Sequence, residues 1–525
     1  MVSAVFISKV LGILLIVPMQ NLIGEYALGI YGIVYPLYTI MLTLSTAGFP
    51  LALSKTISTL TAKGKYKEAN STFSIVGRSL FLFGFLAFFI MWFGGPFYIS
   101  LVAPGQKLVH DAIPAIRTLA PALLLLPLMS AQRGYLQGNL HLEPSAASQV
   151  IEQIVRVFIV LAGLMIGLSL GLTAGPMAAI ATFGATAGAV GGFLLLLASV
   201  KKLRKETLRK SRFESTPKLK TLPVLQNLLT YSLPIVLGTL VLPLSQSIDV
   251  FTVPRELVFA GVSTITATAE FGRYTQEALR LIQLPLSFAT AIGASILPAI
   301  SSSLAKDDQK QAYQRLIRSL RMTAYIMIPA AVALGTFAAP IDVTLFKSAQ
   351  GAQLIALAAV MSIFSGLELV TTYILQGHDR FYQPVFHMVV GLVIKLAGNL
   401  LLVPILGIGG AAVAGIIGYA VSSWMNMVSI RKVSDTNISF PKIAWRSLLS
   451  SLVLGAWLYA LERMYLLWGI TFHASSSRLT ALLAVVIGLA IGAPLYIMAS
   501  LWFKATDREE LSSLPMVGRI IARWI

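Results

Sequence analysis

The chain has 525 residues, 56% of them hydrophobic and 12% charged, and its 40 Lys and Arg against 21 Asp and Glu give a net charge of +19. So few charges, with a mean hydropathy of +0.80, exclude a soluble protein and place the chain in a bilayer. Cysteine is absent, which excludes disulfides, thiol catalysis and thiolate metal sites.

Apolar runs long enough to cross about 30 Å of hydrocarbon recur from end to end, and fourteen spans are expected. The first, about 4–23, has neither a basic region before it nor a small-residue cleavage site after it, so it reads as a retained span rather than a signal peptide. The second, about 31–53, is followed by a loop carrying Lys55, Lys63, Lys65 and Lys67. Next come 72–100, 113–131, 145–170 and 176–200. Pro114, Pro121 and Pro127 in the fourth span remove backbone donors and favour kinks. Gly184, Gly188 and Gly192 in the sixth form one face on which a neighbouring backbone can approach closely. After the basic stretch Lys201 to Lys220 come 224–253, 277–304, 321–346, 353–376, 384–406 and 408–430, then 446–468 and 478–503. Most Lys and Arg fall in alternate loops and the C-terminal tail, which puts both termini in the cytoplasm. That location also argues against nucleic acid: the run Lys201 to Lys220 reads first as a topology signal and second as a contact for anionic headgroups.

The chain repeats itself. Arg133-Gly134-Tyr135-Leu136-Gln137-Gly138 leads through Pro144 to an apolar helix carrying Glu152 and Arg156, and Leu375-Gln376-Gly377 leads through Pro384 to one carrying Lys395. One offset, 239 residues, separates Leu136 from Leu375 and Arg156 from Lys395. Two copies with an even number of spans share one orientation in the membrane. The expected organisation is an N-terminal six-helix lobe (1–200), a cytoplasmic basic linker (201–223), a C-terminal six-helix lobe (224–432) and two additional helices with a cytoplasmic tail (433–525). The last two helices lie outside the repeat and suit the wall of a lipid groove.

A charge at mid-bilayer costs roughly 2.5 to 3.5 kcal/mol on insertion scales, so each should face protein or a wet cavity. Lys9 has no acid within a helical turn, and Arg280 has only Glu277. Asp249, Arg255, Glu256, Glu270 and Arg273 are close in sequence to the ends of the same spans. If spans one, two, seven and eight face each other, these residues line a central cavity with a cationic bias, suited to a diphosphate held by bidentate bonds. The competing reading is that they pair with Asp249, Glu256 and Glu270 and only hold helices together. Glu152 and Arg156, four residues apart, are expected to neutralise each other. Lys395 has Gly391 and Asn399 at four residues on either side, which leaves snorkelling or a pair with Glu368. Arg78, Arg117, Glu462 and Arg463 read as snorkelling anchors.

No phosphate-binding loop motif is present, and His110, His141, His378, His387 and His473 show no metal spacing. Gly407, Gly409 and Gly410 read as a tight turn. Outer loops are short, the longest being about 254–276, too small for the platform of a membrane glycosyltransferase or polymerase. The chain is therefore expected to be no enzyme and to need neither cofactor nor metal.

Several blocks resemble one family. Ser8-Lys9-Val10-Leu11-Gly12, Tyr31-Gly32-Ile33-Val34-Tyr35-Pro36, Ala47-Gly48-Phe49-Pro50, the stretch from Arg133 through Ser148-Gln149-Val150-Ile151-Glu152-Gln153, and Leu375-Gln376-Gly377 through Lys395 resemble the multidrug/oligosaccharidyl-lipid/polysaccharide flippase superfamily. Within it, the match is to the polysaccharide biosynthesis branch that includes stage V sporulation protein B and is related to the lipid II flippases. The resemblance implies an all-α integral membrane protein with two six-helix lobes around a central cavity, two C-terminal helices, and alternating access. It implies a lipid-linked saccharide or peptidoglycan precursor as substrate, membrane lipids as surroundings and a cell-wall or sporulation role. Lys9 falls where lipid II flippases carry a first-helix arginine, and Arg280-Leu281-Ile282-Gln283-Leu284-Pro285 matches a block with a functional arginine. Where the family often has a second arginine, this chain reads Leu14-Leu15-Ile16-Val17. The expected substrate-binding residues are thus Lys9, Arg280, Arg273 and Arg255, and the expected coupling or helix-pairing residues are Asp249, Glu152, Arg156 and Lys395. A monomer is compatible with the sequence. A drug/cation antiporter, which would need an acidic cavity, and a non-transporting scaffold for envelope or spore-coat assembly remain as alternatives.

Overall fold

The computed structural model describes residues 2–46, 48–210, 220–436, 438–472 and 478–505. Every regular element among them is a helix. By contact the chain divides into two compact units, Met1–Gly272 and Arg273–Ile525.

The first unit holds α1 (Val2–Thr46), α2 (Phe49–Ala62), α3 (Tyr66–Val102), α4 (Gln106–Leu119), α5 (Ala122–Gly138), α6 (Leu142–Ser169), α7 (Ala174–Lys210), α8 (Thr221–Thr239), α9 (Val241–Phe259) and α10 (Thr264–Gly272). Gly24, at φ 75° and ψ 172°, breaks α1 in a conformation open in practice to glycine alone, which separates the first two expected spans. The expected fourth span is interrupted between α4 and α5 at Pro121. The expected seventh divides into α8 and α9, because Pro243 cannot donate to the Thr239 carbonyl four residues before it. Residues α8 to α10, which by the duplication open the second repeat, pack on α1 and α2. Of the basic stretch, residues 201–210 extend α7, and 211–219 lie outside the described residues, as do His473 and most of the C-terminal tail.

The second unit opens with a π-helical turn, Arg273–Ala278. It continues through α11 (Leu279–Leu281), α12 (Gln283–Leu304), α13 (Gln309–Thr336), α14 (Ala338–Phe346), α15 (Ala352–Gly377), α16 (Tyr382–Leu406), α17 (Ile408–Ser434), α18 (Phe440–Phe472) and α19 (Arg478–Trp502). Pro285 ends α11 as Pro243 ends α8, by leaving the Leu281 carbonyl without a helical donor.

Among the described residues twelve helices are long and apolar enough to cross a membrane, against fourteen spans expected. The stretch Leu14–Ala62 counts once although Gly24 divides it, and α8 and α9 are not among the twelve. Large apolar side chains point outward along them: Phe93 and Phe97 of α3 are each 68% exposed, as a lipid-facing surface requires.

The duplication extends to backbone detail. α5 ends with Leu140 at φ 65° and α15 with Asp379 at φ 60°. His141 N–H donates to the Leu136 carbonyl at 2.9 Å and Arg380 N–H to the Leu375 carbonyl at 2.9 Å, so both helices close with the same left-handed cap. The following helix pairs also match. A Cβ on Gly188 of α7 would lie 2.5 Å from the Glu152 carbonyl oxygen and 3.3 Å from Arg156 Cβ, and one on Gly418 of α17 would lie 2.7 Å from the Gly391 carbonyl oxygen and 3.2 Å from Lys395 Cβ. In each unit a glycine lets a helix backbone settle onto the turn that carries the cation, Arg156 in the first and Lys395 in the second.

Candidate functional site: buried charges within each unit

In the first unit, the centre is the face that α5 and α6 share. Arg133 Nη2 donates to Glu152 Oε2 at 3.0 Å and Nε donates to Ser148 Oγ at 3.1 Å. Both side chains are largely buried, 16% and 12% exposed. The expected pair between Glu152 and Arg156 does not form; Glu152 is held by Arg133. The reason is directional: helical side chains lean toward the N-terminus, which takes the Glu152 carboxylate to the Ser148 turn, where Arg133 reaches across. Arg156 Nε is buried without a hydrogen-bond partner. On α1, Tyr31, Tyr35 and Tyr38 stand on one face, with ring centroids 4.9 Å apart for Tyr31 and Tyr35 and 5.3 Å for Tyr35 and Tyr38.

Lys9 lies on α1, but its side chain is outside the described residues; one turn on, Gly12 faces Gln153 Oε1 of α6, 3.7 Å from where a Cβ would stand. Asp249 on α9 is 1% exposed. Arg255 is exposed and donates to the Leu101 carbonyl at the end of α3, where a cation suits the helix dipole.

In the second unit the π-helical turn gathers the polar residues, and such turns recur at functional sites because they reset side-chain directions. Arg280 Nε donates to Gln276 Oε1 at 3.2 Å, and Arg273 donates to Gln350 Oε1. Beside them lie two deeply buried acids, Glu277 at 1% and Asp342 at 0% exposure. Gly351 N–H donates to Asp342 Oδ2 at 2.7 Å. A Cβ on Gly351 would lie 2.7 Å from Glu277 Oε2, so both carboxylates crowd one glycine. Asp342, Gln350 and Gly351 are absent from the sequence reading, although Asp342 sits inside the expected ninth span and carries the same insertion cost as the charges named there.

Lys395 is 4% exposed on α16. Glu368, considered above as its partner, accepts from Thr372 Oγ1 at 3.0 Å. Asn426, fully buried, joins the helices here: its Nδ2 donates to Thr371 Oγ1 at 3.1 Å, and its Oδ1 lies 2.8 Å from His387 Nδ1. Asn426→Leu strands these partners in an apolar interior and is expected to cost about 1 to 3 kcal/mol, read as a lower melting temperature of the purified protein. A melting temperature equal to wild type would show that the network carries no stability.

Apolar helices in this number, with charges buried among them, define a multi-pass membrane protein. The chain belongs to the family described as polysaccharide biosynthesis protein, whose model matches residues 1–304. It is similar to the lipid II flippase MurJ of Bacillus subtilis, 28% identical over 507 residues covering 94% of this chain and 92% of that one. It is also similar to stage V sporulation protein B of the same organism, 25% identical over 528 residues covering 100% and 98%. Among solved structures, lipid II flippase MurJ in an inward closed conformation matches with a TM-score of 0.66 at 17% identity, covering 95% of this chain and 98% of that one; that likeness concerns the fold.

Proposed function

We propose that this protein is a flippase that carries a saccharide precursor linked to a polyprenyl diphosphate across the cytoplasmic membrane by alternating access, without chemical catalysis. The observation that carries the reading is a set of cations placed in apolar helices, where each costs a few kcal/mol unless it serves a ligand or a partner. The name of one relative, a lipid II flippase, supports the same substrate class. In this reading Lys9, Arg280, Arg273 and Arg255 hold the diphosphate, and Gln276 orients Arg280 without consuming its charge. Asp249, Glu152, Arg156 and Lys395 pair helices or couple transport to the membrane potential or an ion gradient. The skewed Lys and Arg distribution supports cytoplasmic termini, and one chain suffices.

The buried acids Glu277, Asp342 and Glu368 favour a second reading, a drug/cation antiporter. Native mass spectrometry of the purified protein with an undecaprenyl diphosphate-linked saccharide separates the two. Wild type is expected to retain the lipid, and Arg280→Ala to bind it about ten-fold more weakly or less, the loss of one charge-assisted contact. Equal retention by both proteins would make Arg280 structural. No retention by wild type, with uptake of a cationic dye, would favour the antiporter.

A further inference from the structure

We infer that the ends of α3 and α7 on the Lys- and Arg-rich side of the first unit bind one anionic, two-chain phospholipid, with its headgroup at Arg78, Lys201 and Arg204. The site is separate from the cations assigned above to the diphosphate, and it does not depend on what is transported.

Helix length gives the first step. α7 has 37 residues, Ala174–Lys210, about 55 Å at 1.5 Å per residue, against about 30 Å of hydrocarbon. Its apolar part ends at Val200, so Lys201, Lys202, Arg204 and Lys205, all exposed, stand at headgroup level. Leu203 and Thr207, between and beside them, are buried and hold this end against its neighbours. Tyr135 OH of α5 donates to Asn70 Oδ1 of α3 at 2.6 Å, and Asn70 Nδ2 donates to Thr207 Oγ1 at 3.1 Å. Three helices thus fix the end of α7, which places its cations before a ligand arrives.

Charge gives the second step. Arg204 Nη2 donates to Ser74 Oγ of α3 at 3.4 Å. Arg78, exposed, follows Ser74 by four residues, and Lys201 precedes Arg204 by three, so each stands one turn closer to the hydrocarbon on the same face of its helix. Three cations from two helices therefore surround the Arg204 and Ser74 contact. The acids nearest in sequence do not offset them. Glu68 pairs with Lys65 at 3.1 Å, and Glu206 is two positions from Arg204, a spacing at which helical side chains do not face each other. Charges that only set topology need no such convergence, because they act from anywhere in the loop. Clustered cations at a membrane surface attract anionic headgroups, and the arginine fork matches phosphate oxygens.

The apolar surface below the cations gives the third step. The face of α3 that carries Ser74 and Arg78 continues as Leu82, Phe85 and Phe89, all exposed and at helical spacing. Phe85 and Phe89 have ring centroids 4.6 Å apart, and Phe89 and Phe93 5.5 Å, so the strip is continuous. The face of α7 that carries Lys201 continues as Leu194 and Val190, also exposed. Below headgroup level both helices pack on α5: a Cβ on Gly84 of α3 would lie 2.5 Å from the Leu123 carbonyl oxygen, and one on Gly192 of α7 would lie 2.7 Å from Met129 Cε. Two apolar strips thus descend from one cationic head, which fits a lipid with two acyl chains better than the single chain of a polyprenyl diphosphate.

The test offers full-length protein in detergent micelles phosphatidylglycerol, phosphatidylcholine with the same acyl chains, or undecaprenyl diphosphate, and reads retention by native mass spectrometry. Wild type is expected to retain phosphatidylglycerol about ten-fold better than phosphatidylcholine. Arg78→Gln with Arg204→Gln is expected to remove most of that preference, and either change alone to remove part of it. Arg78→Lys with Arg204→Lys, which keeps the charge and loses the fork, is expected to keep part of it and carries the test if the glutamine pair does not fold. Lys306→Gln with Lys310→Gln removes equal charge from exposed positions beside the start of α13 and is expected to leave the preference intact. Equal retention of the two phospholipids by wild type, or a glutamine pair at Arg78 and Arg204 that behaves like wild type, would overturn the site. So would an equal loss in the Lys306 and Lys310 pair, which would make the attraction diffuse. A glutamine pair at Arg78 and Arg204 that loses undecaprenyl diphosphate while keeping its preference for phosphatidylglycerol would also overturn it and assign these cations to the transported lipid.

Discussion

Glu152→Ala is expected to destabilise the first unit by about 3 to 5 kcal/mol, the cost of leaving a buried charge without its partner. Glu152 is the acid that holds Arg133, at 3.0 Å with both side chains largely buried, and Arg156 stands one turn along the same helix. Removing the carboxylate leaves two guanidinium groups close together with no counter-charge. The expected readout is a large drop in the melting temperature of the detergent-purified protein. Removing Arg133 as well, in Glu152→Ala with Arg133→Met, should restore most of the loss, because the stranded charge goes with it and methionine fills much of the arginine stem's space. A single variant that melts with wild type, or a double variant that melts no higher than the single, would contradict the assignment of Glu152 to Arg133.

Gly188→Leu and Gly418→Leu should each separate a packed helix pair. The added Cβ would lie 2.5 Å from the Glu152 carbonyl oxygen in one case and 2.7 Å from the Gly391 carbonyl oxygen in the other. Both obstacles are helix backbone, which cannot swing aside as a side chain can. Overpacking a tight interior costs about 1 to 3 kcal/mol and sometimes more, and backbone contact puts these sites at the high end. Gly94→Leu is the control, since nothing lies within 4 Å of its Cβ position, and it should melt close to wild type. Yields and melting temperatures of the three variants compare directly. Similar behaviour of all three would mean that close helix approach at the repeated cations contributes little.

Much of this architecture is legible in the sequence because hydropathy and repetition are local or self-referential signals. The 239-residue offset between Arg156 and Lys395 carries through to the two left-handed caps at Leu140 and Asp379 and to the backbone turns at Glu152 and Gly391 that Gly188 and Gly418 meet. The Gly184, Gly188 and Gly192 face does meet α6. The number of spans is harder to read, because Gly24, Pro243 and Pro285 break helices without lowering the hydropathy around them. The charged residues were the least legible. A spacing of four between Glu152 and Arg156 describes one helix and says nothing of Arg133 arriving from another. Thr372, on the same helix as Glu368, donates to that acid, a contact that a search for charged partners passes over. Gly351 becomes meaningful only once Glu277 and Asp342, far apart in sequence, are brought to the same point.

The most direct test of the central claim is transport itself. Protein reconstituted in liposomes with a fluorophore-labelled undecaprenyl diphosphate-linked saccharide is treated with dithionite, which quenches only the outer leaflet. Wild type is expected to expose the inner-leaflet pool to quenching faster than protein-free liposomes, and Arg280→Ala is expected to fall back to the protein-free rate. Wild type that is correctly inserted yet quenches no faster than protein-free liposomes would contradict the flippase reading.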